Sequence, residues 1–172
     1  MEEERKLLEK YGLKNKRELW KAQSTLRGFR RQARELQARV RAGEPQARHE
    51  MEGLLGRLTR LGILPVGAPS LDDVLALTTE ELLKRRFEWV VFNKGFAATA
   101  WGARQLIVHG HFSIGDHKVT RPGYLVLATE EAQIAYAPKS PLNDEAHPIR
   151  VALRDKAGGA SPTPVPVAEG GS

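Results

Sequence analysis

A chain of 172 residues is long enough for one large domain or two small ones. It has no cysteine, which excludes disulfides and thiolate-held metals; it has no apolar run near the ~18 residues of a membrane helix, and its charged start, MEEERKLLEKYG, is unlike an export signal, so a cytoplasmic protein is expected. The formal charge of +6 is unevenly spread: Lys14 to Arg41 carries ten Lys/Arg against two acids, a local +8 that leaves −2 elsewhere and forms a field suited to a polyanion.

Asn15 with Glu18 three residues on has the form of a capping box. Leu19, Ala22, Leu26, Phe29, Ala33, Leu36 and Val40 then recur at spacings of three and four, which predicts one long helix with a narrow apolar stripe, ending at Gly43. At ~100° per residue, Lys16, Arg27, Arg30, Arg34 and Arg41 fall on one flank of that stripe, as either a solvated face or a ligand surface. Gly28, mid-helix, costs ~1 kcal/mol relative to Ala, and nothing in the sequence accounts for it.

Glu44-Pro45 opens a second helix, with Met51, Leu54, Leu55, Leu58 and Leu61 inward and Gly62 at its end. After a PVGAPS loop, Ser70 caps a short helix reaching Ala76 or Leu77. Thr78 and Glu81 form a further capping box, leading into a helix through EELLKRRFEWVVFNKG that Gly95 stops. Thr99 caps a helix to His109, with Gly110 as its left-handed C-terminal residue. The period then changes to two: HFSI, a Gly115-Asp116 turn and HKV predict a hairpin, followed by strands YLVL and IAYA. From Pro138 the pattern fades; the chain is expected to pack back on the helical part, and the Gly/Pro-rich end to be disordered.

ARQLIVHGHFSIG, Ala103 to Gly115, thus forms a helix–glycine–strand corner with histidines at 109 and 111. Zinc needs about four ligands, and the only nearby candidates, Asp116 and His117, lie across a turn. A catalytic pair needs a nucleophile, and no nucleophile elbow, Walker-type loop or dinucleotide fingerprint occurs. No catalysis, metal or cofactor is therefore expected; a helix-end cap and an RNA-facing corner stay open, and they are compatible. Arg85, Arg86, Lys94, Arg104 and Lys118 read singly as surface charges, but together they bring cations from separate elements toward a phosphate backbone. Trp101 is expected to be partly buried, with base stacking as the alternative.

Glu81 to Val126, ELLKRRFEWVVFNKGFA…ARQLIVHGHFSIGDHKVTRPGYLV, resembles the RNA-binding module named after the S-four small-subunit ribosomal protein. YGLKNKRELWKA (Tyr11 to Ala22), RLTRLGILP and YAPKSPL are similar to the archaeal branch of that ribosomal family, so the resemblance spans about Leu7 to Pro148. It implies a structural protein of the small ribosomal subunit that binds small-subunit rRNA directly and early in assembly. It also implies neighbouring small-subunit proteins as partners and a place near the channel through which mRNA enters. By motif position Arg86, Arg104, Gln105, His109, His111 and Lys118 carry over as RNA-facing.

The chain departs from the family pattern at Asn93 and at Ala98 or Ala100, where a basic residue is usual. It departs again at Gly115-Asp116, in place of Asn-Gly, and in lacking the basic arm usual upstream of Glu4. A free-standing RNA-binding or ribosome-rescue factor with the same module is the alternative; the enzymes that carry the module need a far larger catalytic domain.

The expected fold is α+β: a helical rRNA-binding segment over 1–77, the module of helices on a small antiparallel sheet over 78–137, and a return segment with a disordered tail over 138–172. The residues assigned to RNA are Lys16, Arg27, Arg30, Arg34 and Arg41 on the long helix, and Arg85, Arg86, Lys94, Arg104, Gln105, His109, His111 and Lys118 in the module.

Overall fold

The computed structural model of the protein describes residues 1–156; the expected disordered tail lies outside them. Helix α1 (Glu2–Tyr11) precedes the long α2 (Lys16–Arg41) and α3 (Pro45–Arg60). The Asn15 side chain accepts from the Glu18 N–H, as the capping pattern requires, whereas the Glu18 carboxylate reaches back to the Lys14 N–H instead of that of Asn15. Leu19, Ala22, Leu26, Phe29, Ala33 and Leu36 are all buried, so the stripe of α2 is core. Short helices α4 (Leu71–Leu75) and α5 (Thr79–Leu83) both begin in capping boxes, Ser70 with Asp73 and Thr78 with Glu81.

The expected single helix over EELLKRRFEWVVFNKG is broken. Helix α5 ends at Leu83, and α6 (Phe87–Asn93) starts afresh after Arg86, which is extended at φ −67°, ψ 142°. The cause is non-local. The Phe87 N–H donates to the Tyr124 carbonyl at 2.7 Å, the Val126 N–H donates to the Arg85 carbonyl at 3.0 Å, and Arg86 faces Leu125 across an antiparallel bridge. These bonds replace those a continuous helix would make. They also divert YLVL, expected as a sheet strand, into pairing with this break.

Helix α7 (Ala100–Val108) is capped by Thr99, whose side chain accepts from the Gly102 N–H. Strands β1 (Phe112–Ile114), β2 (His117–Lys118) and β3 (Ile134–Tyr136) form an antiparallel sheet in the order β2-β1-β3. The register pairs Ile114 with His117 around the two-residue turn, and Phe112 with Tyr136. Helix α8 (Pro148–Lys156) follows, a helix that the fading pattern after Pro138 did not predict.

Two apolar clusters organise the chain. One gathers Tyr11, the stripe of α2, the inner face of α3 and the buried leucines of α4 and α5. The other centres on Phe112, whose ring stacks on Tyr136 at 5.2 Å and meets Phe87 and Phe96 edge-on. The return segment packs on this second cluster, contrary to the expectation that it covers the helical part: Leu142 is buried there, and the Arg150 guanidinium lies 5.1 Å over the Tyr136 ring. Among the described residues no helix is long and apolar enough to cross a membrane.

Candidate nucleic-acid interface

Helix α2 presents the densest cation cluster. Arg27, Arg30, Arg31 and Arg34, with Ser24, line an open groove of about 620 Å³ over Gly28. Nothing approaches the place where a Cβ at Gly28 would stand, so packing does not require glycine there. Arg31 belongs to this groove although the helical-flank geometry omitted it; one turn separates it from Arg27, and its neighbours reach around the helix. Arg30 is half turned away, its guanidinium donating to the Leu77 carbonyl. Lys16 stands 3.5 Å from Glu4, and Arg41 lines a different groove, beside α3. The expected flank of five cations is thus a groove centred on residues 27 to 34 with two outliers.

The corner forms a second groove, of about 520 Å³. His109, His111, Asp116, Lys118, Lys139 and Ser140 line its polar parts, with Pro138 and Pro141 on its apolar wall. Gly110 has φ +79°, and a Cβ there would run into the Lys118 side chain, so glycine lets the hairpin lysine lie across the helix end. The His111 Nδ1 is 2.7 Å from the Ser140 hydroxyl. Burial, then the nearby His109, His147 and Lys118, lower the pKa of His111, so it is neutral at pH 7 and serves as a hydrogen-bonding wall. His109, Gln105, Lys94 and Lys118 are exposed. Trp101 is 47% exposed, with the Arg104 guanidinium 5.8 Å over its ring, which leaves its outer face available for stacking.

Arg85, Arg86 and Arg104 are placed differently from the expectation of phosphate-facing cations. Arg104 forks onto Glu18 at 2.7 and 2.9 Å and touches Glu88 at 3.4 Å. Arg86 donates to Glu88 at 3.0 Å and lies 3.4 Å from Glu18. Arg85 pairs with Glu131 at 3.0 Å and donates to the Val126 carbonyl at 2.8 Å. For Arg86 and Arg104 the reason is local electrostatics: a wholly buried carboxylate, Glu88, needs compensation, and these two guanidiniums from adjoining elements supply it. Burial pushes the Glu88 carboxyl up to about 7, against the opposing pull of Arg86 and Arg104. Glu18 moves the other way: burial raises its pKa, but the hydrogen bonds from Arg104 and the Lys14 N–H and the charge of Arg86 outweigh it, and the net direction is down. The sequence pointed to neither acid as an arginine partner: Glu88 carries no motif on its helix, and Glu18 reads as the capping-box partner of Asn15 and one of two acids in a basic segment.

Among the described residues no cluster of three or more metal-ligating side chains occurs. The S4 domain family matches residues 85–131, from the helix break to the turn before β3. The small ribosomal subunit protein uS4 of Thermoplasma acidophilum is 47% identical over 153 residues, covering 89% of this chain and 76% of its own length. The uS4 protein of Picrophilus torridus is 49% identical over 150 residues, covering 87% of this chain and 81% of its own. That of Thermoplasma volcanium is 49% identical over 153 residues, with 89% and 76% covered.

Proposed function

The chain belongs to the uS4 family of small ribosomal subunit proteins, and we propose from that premise that it is a structural protein of the ribosome that binds small-subunit rRNA without catalysing a reaction. It binds early in assembly, contacts neighbouring small-subunit proteins and sits near the channel through which mRNA enters, in the cytoplasm. The identity of 47–49% over nearly nine-tenths of the chain carries this reading.

The two grooves divide the contact. On α2, Arg27, Arg31 and Arg34 take phosphates, with Arg30 at the edge. At the corner, His109 and Lys118 face the backbone of a second strand or turn, and the exposed Gln105 on α7 and Lys94 at the end of α6 add further contacts. Paired RNA shows its shape, phosphates and 2′-hydroxyls more readily than its base edges, so arginines in a concave groove suit it. Arg86 and Arg104 act one layer below, as the scaffold of the module.

Sedimentation of a cell extract on a sucrose gradient tests the reading. The protein is expected in the small-subunit fractions and in their rRNA-containing precursors. Recovery only in the free pool, in buffer of moderate salt, would overturn it.

A further inference from the structure

We infer that Glu18, an acid inside the most basic segment, is a positioning residue for RNA binding: it holds the helical segment and the module in one register so that both grooves meet the same RNA. This deepens the rRNA reading above and rests on it. Glu18 lies on α2, whereas its partners Arg86 and Arg104 lie at the start of α6 and on α7. Both guanidiniums also reach Glu88, so the four side chains form one closed network across the boundary between the two clusters. Glu18 is the only member contributed by the helical segment.

Apolar packing holds part of this boundary: the Tyr11 and Trp89 rings lie 4.6 Å apart, and Leu125 packs against the helical cluster. A cleft of about 310 Å³ opens beside Glu18, Lys21 and Thr25 on one side and Leu83, Arg86 and Leu125 on the other. A neighbouring close contact is Gly12, φ +65°, where a Cβ would stand 2.8 Å from the Ala100 backbone carbon. These contacts, with the Ala128 N–H donating to the Arg60 carbonyl at 2.8 Å, hold the two parts together. The bidentate fork of Arg104 on Glu18 adds a direction, since planar guanidinium–carboxylate pairs constrain orientation as well as distance. Two RNA contacts on one rigid body bind more tightly than the same contacts on a hinge, because the second contact needs no further search.

The sign of the effect separates this role from simple charge. Replacing an acid in a polyanion-binding chain strengthens the positive field, and Coulomb attraction alone predicts tighter binding. Positioning predicts weaker binding.

The test uses the full chain, small-subunit rRNA as the probe, and two introduced cysteines for spin labels at exposed positions outside both grooves, Arg48→Cys on α3 and Ala132→Cys just before β3. The absence of native cysteine makes the labelling specific. Glu18→Gln is expected to broaden a narrow inter-label distance and to weaken rRNA binding about tenfold, the partial loss of a two-contact advantage. Glu9→Gln, which removes the same charge from an exposed pair with Arg5, leaves the distance narrow and the affinity equal or higher. If Glu18→Gln melts below the assay temperature, Glu18→Asp carries the comparison, keeping the charge with a shorter reach and showing a smaller shift in both readouts. A narrow distance, or binding equal to or tighter than the parent, overturns the inference. A parent that fails to bind rRNA overturns the ribosomal reading instead, and the label distances still decide whether Glu18 sets the geometry.

Discussion

Arg104→Ala tests the observation that this arginine is part of the scaffold. The side chain is 13% exposed and makes two short charge-assisted bonds to Glu18, itself 20% exposed, and a longer one to the fully buried Glu88. Removing one partner of a buried pair costs ~3–5 kcal/mol, and bonds to charged groups are worth ~1.5–3 kcal/mol each. The damage is limited because Arg86 remains against both acids and the Lys14 N–H still serves Glu18. A loss of about 3 kcal/mol is therefore expected, at the low end of the buried range. With a urea slope of ~1–3 kcal/mol per molar, the unfolding midpoint should drop by about 1–3 M with the slope unchanged. Arg104→Lys should lose nearly as much, since an ammonium cannot fork onto Glu18. A midpoint within error of the parent for Arg104→Ala would refute the network as a structural element and return the arginine to the surface.

Gly110→Val places a β-branched residue at φ +79°, and the ~1–2 kcal/mol left-handed penalty is its minimum cost; a thermal melt unchanged from the parent would contradict the corner geometry. Because the Glu88 pKa is raised in the folded state to about 7, from 4.5, the native state holds this proton more tightly than the unfolded chain. Its contribution to stability is thus greatest below pH 4.5 and falls as pH rises toward 7, by up to about 3 kcal/mol. The stability of the parent relative to Glu88→Gln should decline across that window, and a flat or rising difference in denaturation series would count against it. The comparison must be between variants because His111, with its lowered pKa, acts in the opposite direction as pH falls below 6.5. Arg31→Gln with Arg34→Gln should weaken rRNA binding by about a hundredfold or more while leaving the melt in place, at roughly one charge-assisted bond each; unchanged affinity would remove the α2 groove from the interface.

What the sequence disclosed were features fixed by neighbours a few residues away. The caps at Asn15, Ser70, Thr78 and Thr99 and the left-handed Gly110 depend on local backbone chemistry, and each stands where its pattern placed it. The stripe of α2 was legible because burial follows the helical period. The break between Leu83 and Phe87 was not, because the segment's own propensity is helical and the bonds that interrupt it come from residues 122–126. The charges divided in the same way. Composition located the basic segment, but whether a given arginine faces solvent or a carboxylate depends on a partner such as Glu18, distant in sequence from Arg104. The arginine groove over Gly28 was half visible, with Arg31 missing because periodicity assigns a side chain's direction and not its reach.

The central claim, that this chain grips small-subunit rRNA through concentrated positive charge, is tested most directly by equilibrium binding to that rRNA across a salt series, with large-subunit rRNA as competitor. The account predicts saturable binding that the competitor displaces poorly. It also predicts a steep linear fall of log affinity with log salt; for ~6 phosphates contacted, this is on the order of a thousandfold between 50 and 200 mM, by analogy with duplex DNA. A flat salt response, or equal displacement by either rRNA, would contradict it.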